Sequence, residues 1–211
     1  MKPLTTGPGP IHVIGLAAHP DDLEIGCGGT LLRLGARPGA SAAFLTLTGS
    51  SERTEEARRA AAAVWPGARS TFAGLPDGRL PGHWDAVKQT LHDFAASTPP
   101  PDVVLAPRYD DAHQDHRLLG RLVTTVWRDA LVLHYEIPKW DGDLGRPSTY
   151  VRLSKEVALR KLEILDECYP SQVGHDWWDR ETFGGLMRMR GIECRSHYAE
   201  AFVVPKAVID L

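Results

Sequence analysis

Short runs of β-branched and other apolar residues alternate along this chain with segments of helical period. That alternation restricts the fold to an α/β class built on a mainly parallel sheet with helices on both faces. Val13 to Ala18, Ala42 to Leu47, Val103 to Ala106, Leu131 to Tyr135 and Tyr198 to Val204 read as strands, with a weaker one at Thr71 to Leu75. Ile25 to Leu34, Glu52 to Val64, Trp84 to Phe94, Leu118 to Val126, Lys155 to Leu165 and Arg180 to Arg190 read as helices. Ser154 is placed to cap the fifth of these, and Gly191 to end the sixth. Trp140 to Thr149 has no periodicity and reads as a long loop. No repeat or linker divides the chain, so residues 1–211 are expected to form one domain, with the proline- and glycine-rich residues 1–10 flexible.

Composition removes several classes of function. Acidic and basic residues are mixed, the formal net charge is −3, and no basic stripe marks a nucleic-acid surface. The apolar runs are far too short to span a membrane, and the first ten residues lack the apolar stretch of a signal peptide. Cys27, Cys168 and Cys194 are too few and too widely spaced for a disulfide framework, which fits a reducing, cytoplasmic setting.

Two clusters of polar residues carry chemistry. His19-Pro20-Asp21-Asp22 follows the first strand directly, and Asp111-Ala112-His113-Gln114-Asp115-His116 follows the fourth. Ligands in open α/β sheets bind beyond the carboxyl ends of strands, so the clusters converge if those two strands are neighbours. A catalytic zinc site needs about three protein ligands and an open position. His19, Asp22 and His116 supply such a set. Asp21 is then left to take a proton from water, and His113 to polarise a carbonyl or protonate a leaving amine. Asp111 and Asp115 are placed to orient the histidines. Ferrous iron or another divalent ion suits the same donors. Either cluster alone could be a turn with a helix cap; it is the pair that points to a metal.

At these residues the chain resembles the PIG-L/LmbE family of zinc-dependent deacetylases. Ala18-His19-Pro20-Asp21-Asp22 matches its AHPDD-type motif and His113-Gln114-Asp115-His116 its HxDH-type motif. Weaker likenesses run in family order through Glu24 to Leu31, Tyr135 to Pro138, Ser171-Gln172, Arg190-Gly191 and Tyr198 to Phe202. The resemblance implies a Rossmann-like sheet and one zinc ion on His19, Asp22 and His116. It further implies Asp21 as general base, His113 as general acid or oxyanion stabiliser, and Asp115 as support for His113. The implied substrate is a small N-acylated amino sugar or glycoside that loses an acetyl group. An amidase for another acyl or thiol-conjugate amide next to a sugar is the alternative, and a non-catalytic sugar-binding relative a weaker one.

Other residues keep two readings. Tyr109 could touch substrate or pack at the sheet edge, and Arg53 could bind substrate or be an exposed residue at a helix start. Asp77 lies in a Pro-Asp-Gly turn that turn chemistry explains. His197 could face the pocket or be structural, and Trp140, Trp177 and Trp178 could stack on a sugar or belong to the core. Gly26, Gly28 and Gly29 do not make the dinucleotide fingerprint; close packing of the first helix is their expected use, with no NAD. Oligomeric state is left open, a homo-oligomer included.

Overall fold

The computed structural model describes residues 7 and 9–208, so most of the N-terminal stretch expected to be flexible lies outside the described residues. The strands are β1 (His12–Ala17), β2 (Ser41–Thr48), β3 (Arg69–Leu75), β4 (Val103–Pro107), β5 (Leu131–Tyr135), β6 (Thr149–Leu153) and β7 (Tyr198–Val203). They form one sheet in the order β3-β2-β1-β4-β5-β7-β6. The first five are parallel; β7 runs antiparallel to β5, and β6 antiparallel to β7. The helices are α1 (Asp22–Gly35), α2 (Ser51–Val64), α3 (Trp84–Ala96), α4 (Gln114–Val126), α5 (Lys155–Cys168) and α6 (Arg180–Glu193).

Alternation along the central strand sorts the core into two layers. Val13 and Ala17 of β1 face one apolar cluster, while Ile14, Leu16 and the following Ala18 face the other. The first cluster takes in Leu23, Ile25 and Leu31 of α1 and the inner faces of α2, α5 and α6; the second takes in α3 and α4. Helices therefore cover both faces, as the buried, near-continuous apolar strands require. Gly26 is needed for this packing, because a Cβ there would lie 2.2 Å from the Tyr135 ring, and Gly29 similarly admits Leu153. Gly28 is not tightly packed, its Cβ position meeting Lys161 only at 3.4 Å.

Four elements differ from their sequence expectations. The loop from Trp140 ends in a strand, since Thr149–Leu153 pairs along β7 at the sheet edge. An edge strand with one partner and partly exposed side chains carries little of the apolar signal that marked the central strands. Gly191 does not end α6, which runs to Glu193; its bare Cα instead lets the His197 carbonyl approach, where a Cβ would sit 2.4 Å from that oxygen. Finally α1 and α4 begin at Asp22 and Gln114, several residues before the apolar period starts, so their polar first turns were missed.

Candidate metal centre

β1 and β4 are hydrogen-bonded neighbours, with Val13 opposite Val103 and Gly15 opposite Leu105. Being parallel, they end at the same edge. The chain then leaves β1 for α1 on one face and β4 for α4 on the other, which opens a crevice between the two turns. The clusters anticipated from sequence converge there.

In the β1–α1 turn, Asp22 is the first residue of α1, and its Oδ2 accepts the backbone N–H groups of Ala18 and His19, each at 2.9 Å. That fixes the carboxylate with Oδ1 facing His116 Nε2 at 3.2 Å. His19 Nδ1 lies 3.0 Å from the same His116 nitrogen and 3.7 Å from Asp22 Oδ2. Donor atoms around a tetrahedral cation, held at about 2.0–2.2 Å, stand about 3.3 Å apart. The separations bracket that value, with His116 facing one oxygen of the Asp22 carboxylate and His19 the other, so the two histidine nitrogens and one Asp22 oxygen could hold a zinc-sized ion. Ring nitrogens of His19, His113 and His116 also lie within 4.8 Å of one another. His113 is the weaker candidate as a ligand, because its Nδ1 already accepts the Asp115 N–H at 3.3 Å.

The outer nitrogens of both proposed ligand histidines face carboxylates, an arrangement that orients imidazoles toward a metal. His116 Nδ1 stands 3.3 Å from Asp111 Oδ2, outside hydrogen-bond alignment. Asp111 is itself held by Lys139 Nζ at 3.0 Å, and its Oδ1 accepts the His113 N–H at 2.8 Å. His19 Nε2 meets Asp77 Oδ1 at 3.1 Å and Asp115 Oδ2 at 3.3 Å. Asp115 departs from expectation. Its carboxylate accepts the N–H groups of Gly78 and Leu80 and faces His19; it reaches His113 only through its backbone N–H.

Electrostatics favour positive charge among these donors. Burial works against charging His19, but Asp115, Asp22 and Asp77 outweigh it and raise its pKa well above the ordinary value. Burial likewise opposes charge on His116, yet Asp22 and Asp111 push it up to about 9. Asp22 is held well below the usual carboxylate range, burial being overcome by His116 and His19. A divalent cation would meet the demand that the protons meet here.

Asp21 sits beside this triangle with a left-handed backbone, φ 100°, unusual for a residue other than glycine and costing roughly 1–3 kcal/mol. Its pKa is pushed up to about 8, chiefly by burial and in part by Asp22, against the pull of Arg53. Arg53 donates to Asp21 Oδ2 and to the Pro20 carbonyl, each at 2.6 Å. The exposed reading of Arg53 is thus corrected: the arginine turns inward because the buried carboxylate needs a counter-charge. His113 is the N-cap of α4, its ring centroid 4.8 Å from that of His19.

Lys139 and Asp77 were missed as neighbours of the centre. Nothing in sequence ties Lys139 to Asp111, whereas Asp77 carried only its turn signal. Tyr109 packs edge-on against His134, and His197 against Tyr198, so neither ring is brought into the histidine cluster. Trp140 is 71 % exposed and meets Trp177 edge-on, its indole N–H donating to Asp176, while Trp178 belongs to the core. No helix among the described residues is long and apolar enough to cross a membrane.

Residues 14–127, more than half of the chain, match the model of the PIG-L family, GlcNAc-PI de-N-acetylase. The uncharacterized deacetylase YaiS of Escherichia coli K12 is 30% identical over 166 residues, 72% of this chain and 88% of that protein. Among solved structures, the N,N'-diacetylchitobiose deacetylase of Pyrococcus horikoshii superposes with a TM-score of 0.71 at 19% identity, covering 92% of this chain and 83% of that one. GalB, the 4-carboxy-2-hydroxymuconate hydratase of Pseudomonas putida KT2440, gives a TM-score of 0.76 at 19% identity, covering 95% and 99%. Those two structural likenesses show the fold alone.

Proposed function

This chain belongs to the PIG-L family, and from that premise we propose that it is a zinc-dependent hydrolase removing the N-acetyl group from an amino sugar or small glycoside. The observation that carries the reading is the convergence of His19 Nδ1, His116 Nε2 and the Asp22 carboxylate, with the spare carboxylate Asp21 beside them. A binding protein would have no use for a buried, strained aspartate next to a complete ligand set. The hydratase on the same fold makes the site, rather than the sheet, the ground for assigning the reaction.

His19, Asp22 and His116 would hold the ion. Zinc, or ferrous iron in its place, would lower the pKa of water to about 7 and polarise the amide carbonyl. Asp21 accepts the proton that water loses as its oxygen bonds to the amide carbon. Arg53 keeps that carboxylate in place on its Oδ2. His113 Nδ1 accepts a backbone N–H, so the neutral ring carries its proton on Nε2. That N–H is available to the carbonyl oxygen as negative charge gathers there, and a proton passed through His113 lets the sugar nitrogen leave as an amine. The C–N bond breaks, and the products are acetate and the free amino sugar. Asp115 acts through the His113 cap and through the β3–α3 connection that its carboxylate holds.

The exposed indole of Trp140 offers a face on which a sugar ring could stack. Three buried, unpaired cysteines favour a reducing, cytoplasmic setting. Chelator treatment should abolish hydrolysis of an N-acetyl amino sugar, and one equivalent of zinc should restore it. Full activity in metal-free protein would reject the metal-dependent reading.

A further inference from the structure

We propose that Asp77 is a positioning residue for the metal centre: together with Asp115 it holds the Nε2–H of His19, and so keeps the Nδ1 lone pair of that ring turned toward the cation position. The inference rests on the reading above that His19 is a ligand.

A neutral imidazole carries one proton, and only the nitrogen without it can bind a metal. His19 Nδ1 faces His116 and Asp22, so with a cation bound there the ring's one proton resides on Nε2. The aligned acceptor for that proton is Asp115 Oδ2 at 3.3 Å, and Asp77 Oδ1 stands at 3.1 Å from the same nitrogen as an ion-pair contact. Asp115 alone is an encumbered partner. Its Oδ2 already accepts the Gly78 N–H at 2.8 Å and its Oδ1 the Leu80 N–H at 3.0 Å. Asp77 adds a second carboxylate oxygen, negative and close to the same nitrogen.

Turn propensity accounts for an aspartate between Pro76 and Gly78 but not for where its carboxylate lies. The turn is clamped to the start of α4: Gly78 donates to Asp115, Leu80 donates to Asp115, and the Gly78 carbonyl accepts from Gln114 Nε2 at 3.1 Å. Gly78 has φ +71°, a conformation that glycine adopts without strain and that this clamped turn requires. The backbone is thus fixed, and Asp77 reaches His19 even though its side chain is 69% exposed. The pairing links β3's turn to a ligand borne on β1's turn, two segments far apart in sequence.

Zinc affinity, measured by competition with a chromophoric chelator, tests this in the full-length protein. Loss of a carboxylate behind a ligand histidine costs about 10–100-fold in metal affinity; exposure places Asp77→Ala at the lower end, about tenfold weaker. Asp77→Asn keeps an oxygen acceptor and a good turn residue, and is expected to lie nearer the wild type. Both variants should unfold at the wild-type urea midpoint. Wild-type zinc affinity in Asp77→Ala overturns the inference while leaving the proposed function standing. Equal weakening in both variants together with a lowered unfolding midpoint also overturns it, since Asp77 would then be only a turn residue. Failure of the wild-type protein itself to bind zinc would overturn the reading on which the inference rests.

Discussion

Asp21→Asn is expected to retain bound zinc and lose about a hundred- to ten-thousand-fold in kcat, the contribution of a positioned general base. The substitution suits the local backbone, because asparagine enters the left-handed region more readily than other non-glycine residues and φ is 100° here. Volume is conserved, and the amide oxygen can still accept from Arg53, which now sits 2.6 Å from Asp21 Oδ2. None of the three proposed ligand atoms is removed. Steady-state rates beside metal content per chain decide the matter. A variant that keeps its zinc and more than a tenth of wild-type kcat would remove Asp21 from the role of base; one that loses zinc would make it a ligand.

Lys161→Met is expected to destabilise the protein by about 3–5 kcal/mol, the cost of stranding a buried charge by removing its partner. Lys161 and Glu200 are each 3 % exposed, with Nζ 2.7 Å from Oε1. Their position explains their use. α1 breaks at Cys27, where φ is −148° and ψ 21°, and the break frees backbone groups on both sides. The Ile25 carbonyl accepts from Lys161 at 2.6 Å, while Glu200 accepts the Gly29 and Thr30 N–H groups at 2.8 and 2.6 Å. One ion pair thus ends the first helical segment and caps the second. Against a typical domain stability of about 5–15 kcal/mol, the loss would be plain in the urea midpoint. A shift below about 1 kcal/mol would mean that water reaches Glu200 once the lysine is gone.

Much of the fold and of the site could be read from sequence, for identifiable reasons. The strands from Val13 and Val103 are buried on both faces, so their apolar runs are continuous and end where the polar turns begin. His19 and Asp22 are three residues apart and held by one turn, and His113 and His116 share the start of α4, so short-range spacing set much of the geometry. The partners of those residues were less legible. Arg53, Asp77 and Lys139 come to Asp21, His19 and Asp111 across tertiary contacts, and a charged residue's identity carries no record of its partner. Asp115 was expected at His113 by kinship; instead the carboxylate was drawn to the N–H groups of the Gly78 turn, which no local pattern could announce. Gly191 misled because a glycine near a helix end can serve either as a cap or as a point of close approach, and here the His197 carbonyl needed the space.

Metal-dependent N-deacetylation of an amino sugar is measured as acetate release from a panel of N-acetyl amino sugars and their glycosides, with zinc-loaded and metal-free protein side by side. Zinc-loaded protein is expected to release acetate from at least one compound, one acetate for each amine freed, and metal-free protein to release none. Zinc-loaded protein that leaves every N-acetyl compound intact would contradict the proposed deacetylation; cleavage confined to sugar amines bearing another acyl group would instead establish the alternative amidase.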